Sequence, residues 1–153
     1  MDKKPLKRHK ALQPLSREHH HGLLLSWKIR SGLSKNIPVE RIKAYTNWFF
    51  KTHLVPHFEM EEKHIFPILN EENQLIKRAL SEHRNLEHLF NTSRYDEKTL
   101  NDIEGTLEAH IRFEERILFP EIQNKATDAQ LLLIESIHSP STFEDKLDDE
   151  FWK

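Results

Sequence analysis

The chain has no cysteine, so it has neither disulfides nor thiolate metal ligands. Its 153 residues include only 3 glycines, too few for the turns of a strand-rich fold, while 31% of residues are charged. That combination favours long solvated helices in a single domain. No apolar run approaches the roughly 20 residues that cross a bilayer, and no secretory leader is visible. A soluble, cytoplasmic protein with no membrane partner is therefore expected. Neither sign of charge prevails: 23 Lys and Arg against 25 Asp and Glu give a net charge of −2, which offers no electrostatic case for nucleic acid. The basic start, MDKKPLKRHK, reads as a solvated tail over residues 1–11. No nucleophile–base pair or phosphate-binding loop is apparent, which argues against a dedicated enzyme.

Histidine is what the chain has in plenty, with 11 in all. It is the commonest metal-ligating side chain, and neutral imidazole is buried at modest cost, so position decides its meaning. Two segments stand out, HFEMEEKHIFP at 57–67 and HIRFEERILFP at 110–120. They align 53 residues apart, matching His57 with His110, Glu61 with Glu114, Glu62 with Glu115 and Pro67 with Pro120. Two related helical hairpins facing each other would explain the repeat.

Apolar spacing predicts five helices over the bundle region 12–138. The first runs from an N-cap at Ser16 to about Arg30 and stops near Gly32. The second covers about 39–69, with a kink expected at Pro56 just before His57. A third, capped by Asn70, covers 71–91, and a fourth covers 97–123. The fifth is short, capped by Thr127, and expected to lie as a lid. It gives way to a polar C-terminal tail, 139–153, carrying Phe151 and Trp152. Four long helices with short connections predict an all-α, up-and-down antiparallel four-helix bundle.

Successive residues of a helix step 100° round its axis, a wheel that sorts each predicted helix into an inward and an outward face. His110 and Glu114 fall among Ile103, Leu107, Phe113, Ile117 and Leu118, with Glu115 outside. On the second helix His57 and Glu61 face inward and Glu62 does not. The third places His83 inward, with Glu87 on the shoulder of the same face. In SREHHHGLL, the apolar positions Leu12, Leu15, Leu23, Trp27 and Leu33 put His19 nearest the centre, with His20 at the edge. One inward histidine per helix, three of them followed by a glutamate one turn on, makes a metal-ligand set. Carboxylates buried without a cation would each cost several kcal/mol. Imidazoles with bridging carboxylates suit two first-row transition metals, iron foremost.

The segments SREHHHGLL, HFEMEEKHIFP, LSEHRNLEHLF and HIRFEERILFP resemble the hemerythrin-like (HHE, cation-binding) family over about residues 12–138. That resemblance implies a four-helix bundle holding two non-haem iron ions. It implies His19, His57, His83 and His110 as terminal imidazoles, with Glu61 and Glu114 bridging. Two departures separate the chain from oxygen-carrying hemerythrins. Glu87 stands where their third helix has a second histidine. The acid on the fourth helix is Glu114, four residues after its histidine, where theirs is an aspartate at five. Added negative charge from Glu87 would favour the ferric state, leaving sensing of O2 or NO, iron handling or slow peroxide chemistry. An adaptor module with a structural metal or none is the alternative, with Phe151 and Trp152 as its docking tag, although folding back on the bundle is the favoured reading of that aromatic pair.

Overall fold

The computed structural model describes residues 7–138 and 143–153, so the first six residues of the basic start and part of the polar tail lie outside it. Every regular element among the described residues is helical. Helix α1 is Gln13–Ser34, α2 occupies 39–68, α3 is Gln74–Asn91, α4 occupies 97–125 and α5 is Asp128–Ile137. Their boundaries differ from expectation where a side chain has another task. Helix α1 begins three residues before Ser16, with Pro14 in its first turn, where the missing N–H costs nothing. It continues through Gly32, which is buried because the Phe151 ring lies over it; a Cβ there would meet that ring at 2.8 Å. Asn73, not Asn70, caps α3 by accepting from Leu75 N–H, while Asn70 accepts from Glu72 N–H in the preceding turn. Thr127 caps α5 in a reciprocal box with Gln130, as its spacing predicts.

Both α2 and α4 contain π turns, and each of these precedes a proline. In Phe50–Leu54, Glu61–Ile65 and Glu114–Leu118 the closing bond runs over five residues, from Val55, Phe66 and Phe119 N–H respectively. Pro56, Pro67 and Pro120 follow at once. A proline ring clashes with the carbonyl four residues before it and has no N–H to offer. Widening the preceding turn by one residue relieves both problems while the helix carries on. The disruption expected at Pro56 is thus a π turn. The same widening explains Ile117, which is 46% exposed although 100° spacing puts it inward.

Apolar side chains gather in two clusters. One contains Leu25, Ile29, Phe49, Leu86, Phe90 and Leu107, and the other Leu15, Ile65, Phe66, Ala79, Phe119 and Ile122. Each long helix crosses from one cluster to the other and carries a buried polar residue at the crossing: His19, Glu61, His83 and Glu114. Helix α1 packs chiefly on α4, and α3 also packs on α4. Leu131 and Ile134 seat α5 on the second cluster.

The last residues fold back, with Phe151 and Trp152 buried in the first cluster. Asp145 accepts from Lys28 Nζ at 2.6 Å and from the Tyr45 hydroxyl at 2.5 Å. Lys28 also lies over the Trp152 ring at 4.0 Å. This returning segment buries Lys28, while Trp27, expected inward, is 49% exposed. The aromatic pair is core and is not presented as a docking tag.

Candidate metal centre

Six of the seven residues singled out as ligands converge. His19, His57, Glu61 and Glu114 form one group whose ligand atoms all lie within 4.8 Å, and Glu61, His83, His110 and Glu114 form another. Glu61 and Glu114 belong to both groups and are 0% exposed. Glu61 lies 3.3 Å from His57 Nε2 through Oε1 and 3.6 Å from His19 Nε2 through Oε2. Its Oε1 also lies 3.1 Å from His83 Nε2. Glu114 lies 2.9 Å from His19 Nε2 and 3.4 Å from His110 Nε2, both through Oε1. His20, the reserve on α1, is exposed, which leaves His19 as the inward ring.

Glu87 is not brought in. It is bound to Arg84 at 2.6 Å, and Arg84 also grips Glu62, whose Oε2 meets His83 Nδ1 at 2.7 Å. The wheel puts Glu87 on the inward shoulder, but the guanidinium one turn earlier holds it at the surface. Its charge therefore does not enter the ligand group, and the redox argument built on it lapses.

Four glutamates beyond the inner six complete the site. Glu18 on α1 meets His57 Nδ1 on α2 at 2.8 Å, and Glu62 on α2 meets His83 on α3. Glu82 on α3 meets His110 Nδ1 on α4 at 2.7 Å, and Glu115 on α4 meets His19 Nδ1 on α1 at 2.7 Å. The bonds close a ring around the four helices. A carboxylate only accepts, so each Nδ1 donates, and each Nε2 is turned to the centre. Glu62 and Glu115 do lie off their own helices' inward face, as spacing predicts, but from there they reach the neighbouring helix. The signal was in the dipeptides Glu18-His19, Glu82-His83, Glu61-Glu62 and Glu114-Glu115: a residue next to an inward one points about 100° round, toward an adjacent helix.

Charges in the metal-free cluster follow from this packing. Burial, the largest influence, disfavours the imidazolium of His57, but the charge of Glu61 and the hydrogen bond His57 donates to Glu18 outweigh it and raise the pKa to about 9. His83 is likewise pushed up to about 11 against burial, by Glu114, Glu61 and Glu62. His19 and His110 are also raised. Burial favours protonation of Glu61 and Glu114, yet the surrounding imidazoles hold both below the usual carboxylate range. The packing thus favours protons on the imidazoles over protons on the inner carboxylates.

This donor set fits a cation. Both oxygens of Glu61, Oε2 of Glu114, and Nε2 of His83 and His110 are buried without a hydrogen bond of acceptable geometry. The atoms crowd together without satisfying one another, an arrangement a shared cation would resolve. Imidazole nitrogen and carboxylate oxygen are donors that first-row transition metals accept.

The family model of the hemerythrin HHE cation-binding domain matches residues 7–122, about three-quarters of the chain. The chain belongs to that family. Neither the curated proteins nor the solved structures compared with it gave a match. The match includes all six converging residues and all four outer glutamates. Among the described residues no helix of this HHE-domain chain is long and apolar enough to cross a membrane.

Proposed function

We propose that the chain binds two iron ions between its long helices and uses them to sense or handle O2, NO or iron itself. The observation that carries this reading is the pair of four-donor groups sharing Glu61 and Glu114. His19 and His57 would hold one ion, His83 and His110 the other, and the two glutamates would bridge them. The alternating passage of the helices between two apolar clusters supports reading them as an up-and-down bundle around that pair. Each ion would then be held by two imidazoles and two carboxylates. Bound iron would supply redox chemistry and affinity for O2 or NO.

The protein's part is positioning and charge balance. Glu18, Glu62, Glu82 and Glu115 fix the tautomer and orientation of the rings. All four imidazoles have raised proton affinity beside the inner carboxylates, and bound dications would take the place of those protons. Reconstitution with ferrous iron followed by metal analysis tests the proposal. Two iron atoms per chain are expected, with near-ultraviolet bands after exposure to air that a zinc-loaded sample lacks. A clean plateau at one iron would overturn the dinuclear reading.

A further inference from the structure

A cavity of about 870 Å³ lies against the histidine cluster, bounded by α1, α2, α4, the end of α5 and Phe143. Its volume is that of a site for a drug-sized organic molecule, far beyond what O2 or NO fills. Along α1 the wall runs from Pro14 to Gly22, about 12 Å at 1.5 Å per residue. Leu54, Phe58, Leu107, Ile111 and Phe143 make much of the lining apolar. His19, His57 and His110 reach the same space, so whatever occupies it sits beside the centre.

Most charged groups on the wall are already engaged. Glu18 is bound to His57, and Lys10 pairs with Glu135 at 3.2 Å. Arg17 is exposed and has no ion-pair partner among the described residues. Near it stands His138, whose buried Nδ1 has no hydrogen-bond partner and whose ring feels the charge of Arg17. Buried nitrogens of His21, His53 and His110 on the wall also lack partners, but it is the His138 ring that feels Arg17, so this guanidinium and this nitrogen mark one end of an elongated apolar space for an amphiphile's negative head. A guanidinium takes a carboxylate with two parallel hydrogen bonds.

We infer that this cavity binds a medium-chain carboxylate, its chain along Leu54, Phe58, Leu107 and Ile111 and its head at Arg17 and His138. The inference goes beyond the proposed iron chemistry and does not depend on it, because none of the six residues assigned to the ligand is among the candidate metal donors.

Calorimetric titration of the full chain, metal-free and iron-loaded, with decanoate, 1-decanol and acetate tests it. Decanoate should bind one per chain in both forms, about tenfold more tightly than decanol, and acetate should not bind measurably. Arg17→Gln should bring decanoate to the affinity of decanol and leave decanol unchanged. Thr52→Trp, at an exposed position on the cavity wall, should weaken both amphiphiles about tenfold by filling space. Melting curves of both variants establish that they fold. Absence of decanoate binding in folded protein, or indifference of decanoate to Arg17→Gln, would overturn the inference. Binding confined to the iron-loaded form would also overturn it, by placing the carboxylate on the ions. An iron count below two with decanoate still bound would count against the dinuclear centre alone.

Discussion

Glu115 accepts from His19 Nδ1 at 2.7 Å while its neighbour Glu114 meets Nε2 of the same ring at 2.9 Å. Two consecutive residues of α4 thus hold both nitrogens of one imidazole on α1, one as an inner donor and the other as its support. Ser16 donates to the same Glu115 at 2.9 Å, so the support is itself held in place.

Replacing Glu114 and Glu115 by alanine should therefore have graded effects. Glu114→Ala removes a donor common to both groups, and neither ion should be retained. Glu115→Ala frees the His19 ring and should weaken metal binding about 10- to 100-fold, the usual cost of losing such a partner. Spacing alone would have Glu115 dispensable. Competition with a coloured chelator measures both variants, and wild-type affinity in Glu115→Ala would refute the supporting role.

Metal uptake should release protons. With pKa values raised to about 9 and about 11, His57 and His83 carry protons at pH 7, and each must lose its proton to ligate. Loading two divalent ions in weakly buffered solution should release about two protons or more, read with a pH indicator. Release near zero would mean that the rings are neutral before metal arrives.

The same shifts set the pH dependence of the metal-free fold. A histidine at about 6.5 when unfolded and about 9 when folded, as for His57, contributes stability in full below pH 6.5 and loses it as pH rises through 9. On the order of 3 kcal/mol is at stake for this ring, so metal-free protein should melt several degrees lower at pH 9.5 than at pH 6.5. Iron-loaded protein should not follow, because its rings carry metal in place of protons. Parallel melting curves for the two forms would contradict this.

Glu87→Ala is expected to retain both ions and to change stability by no more than about 0.5 kcal/mol, since only Arg84 loses a partner. Loss of an equivalent of iron would return Glu87 to the ligand set.

Two glycines should respond oppositely to alanine. At Gly105, exposed in mid-helix with nothing within 4 Å of a new Cβ, Gly105→Ala should stabilise by about 0.5–1 kcal/mol. At Gly32 the Cβ would meet the Phe151 ring at 2.8 Å and Ile42 at 2.9 Å, so Gly32→Ala should destabilise by about 1–3 kcal/mol. Urea midpoints give both signs.

Much of this was legible from spacing. His57 and Glu61, or His110 and Glu114, lie one turn apart on an otherwise apolar face, and burial of such groups needs a reason that a metal supplies. Glu18, Glu62, Glu82 and Glu115 escaped because each serves a histidine on another helix, and one helix's wheel carries no information about its neighbour's azimuth. Ile117 was misplaced for a local reason, since a π turn breaks the 100° step on which the wheel depends. Trp27 and Lys28 exchanged places through a contact with residues more than a hundred positions away, which no local pattern encodes.

The sharing of Glu61 and Glu114 bears on the order in which a ribosome delivers the chain. Every donor group contains Glu114, so a nascent chain ending in α3 has His19, His57, Glu61 and His83 but no complete set for either ion. His19 likewise waits 96 residues for the carboxylate that fixes it. If the two groups hold ions as proposed, capture would wait until α4 has been synthesised, and a prematurely terminated fragment would hold neither position whole.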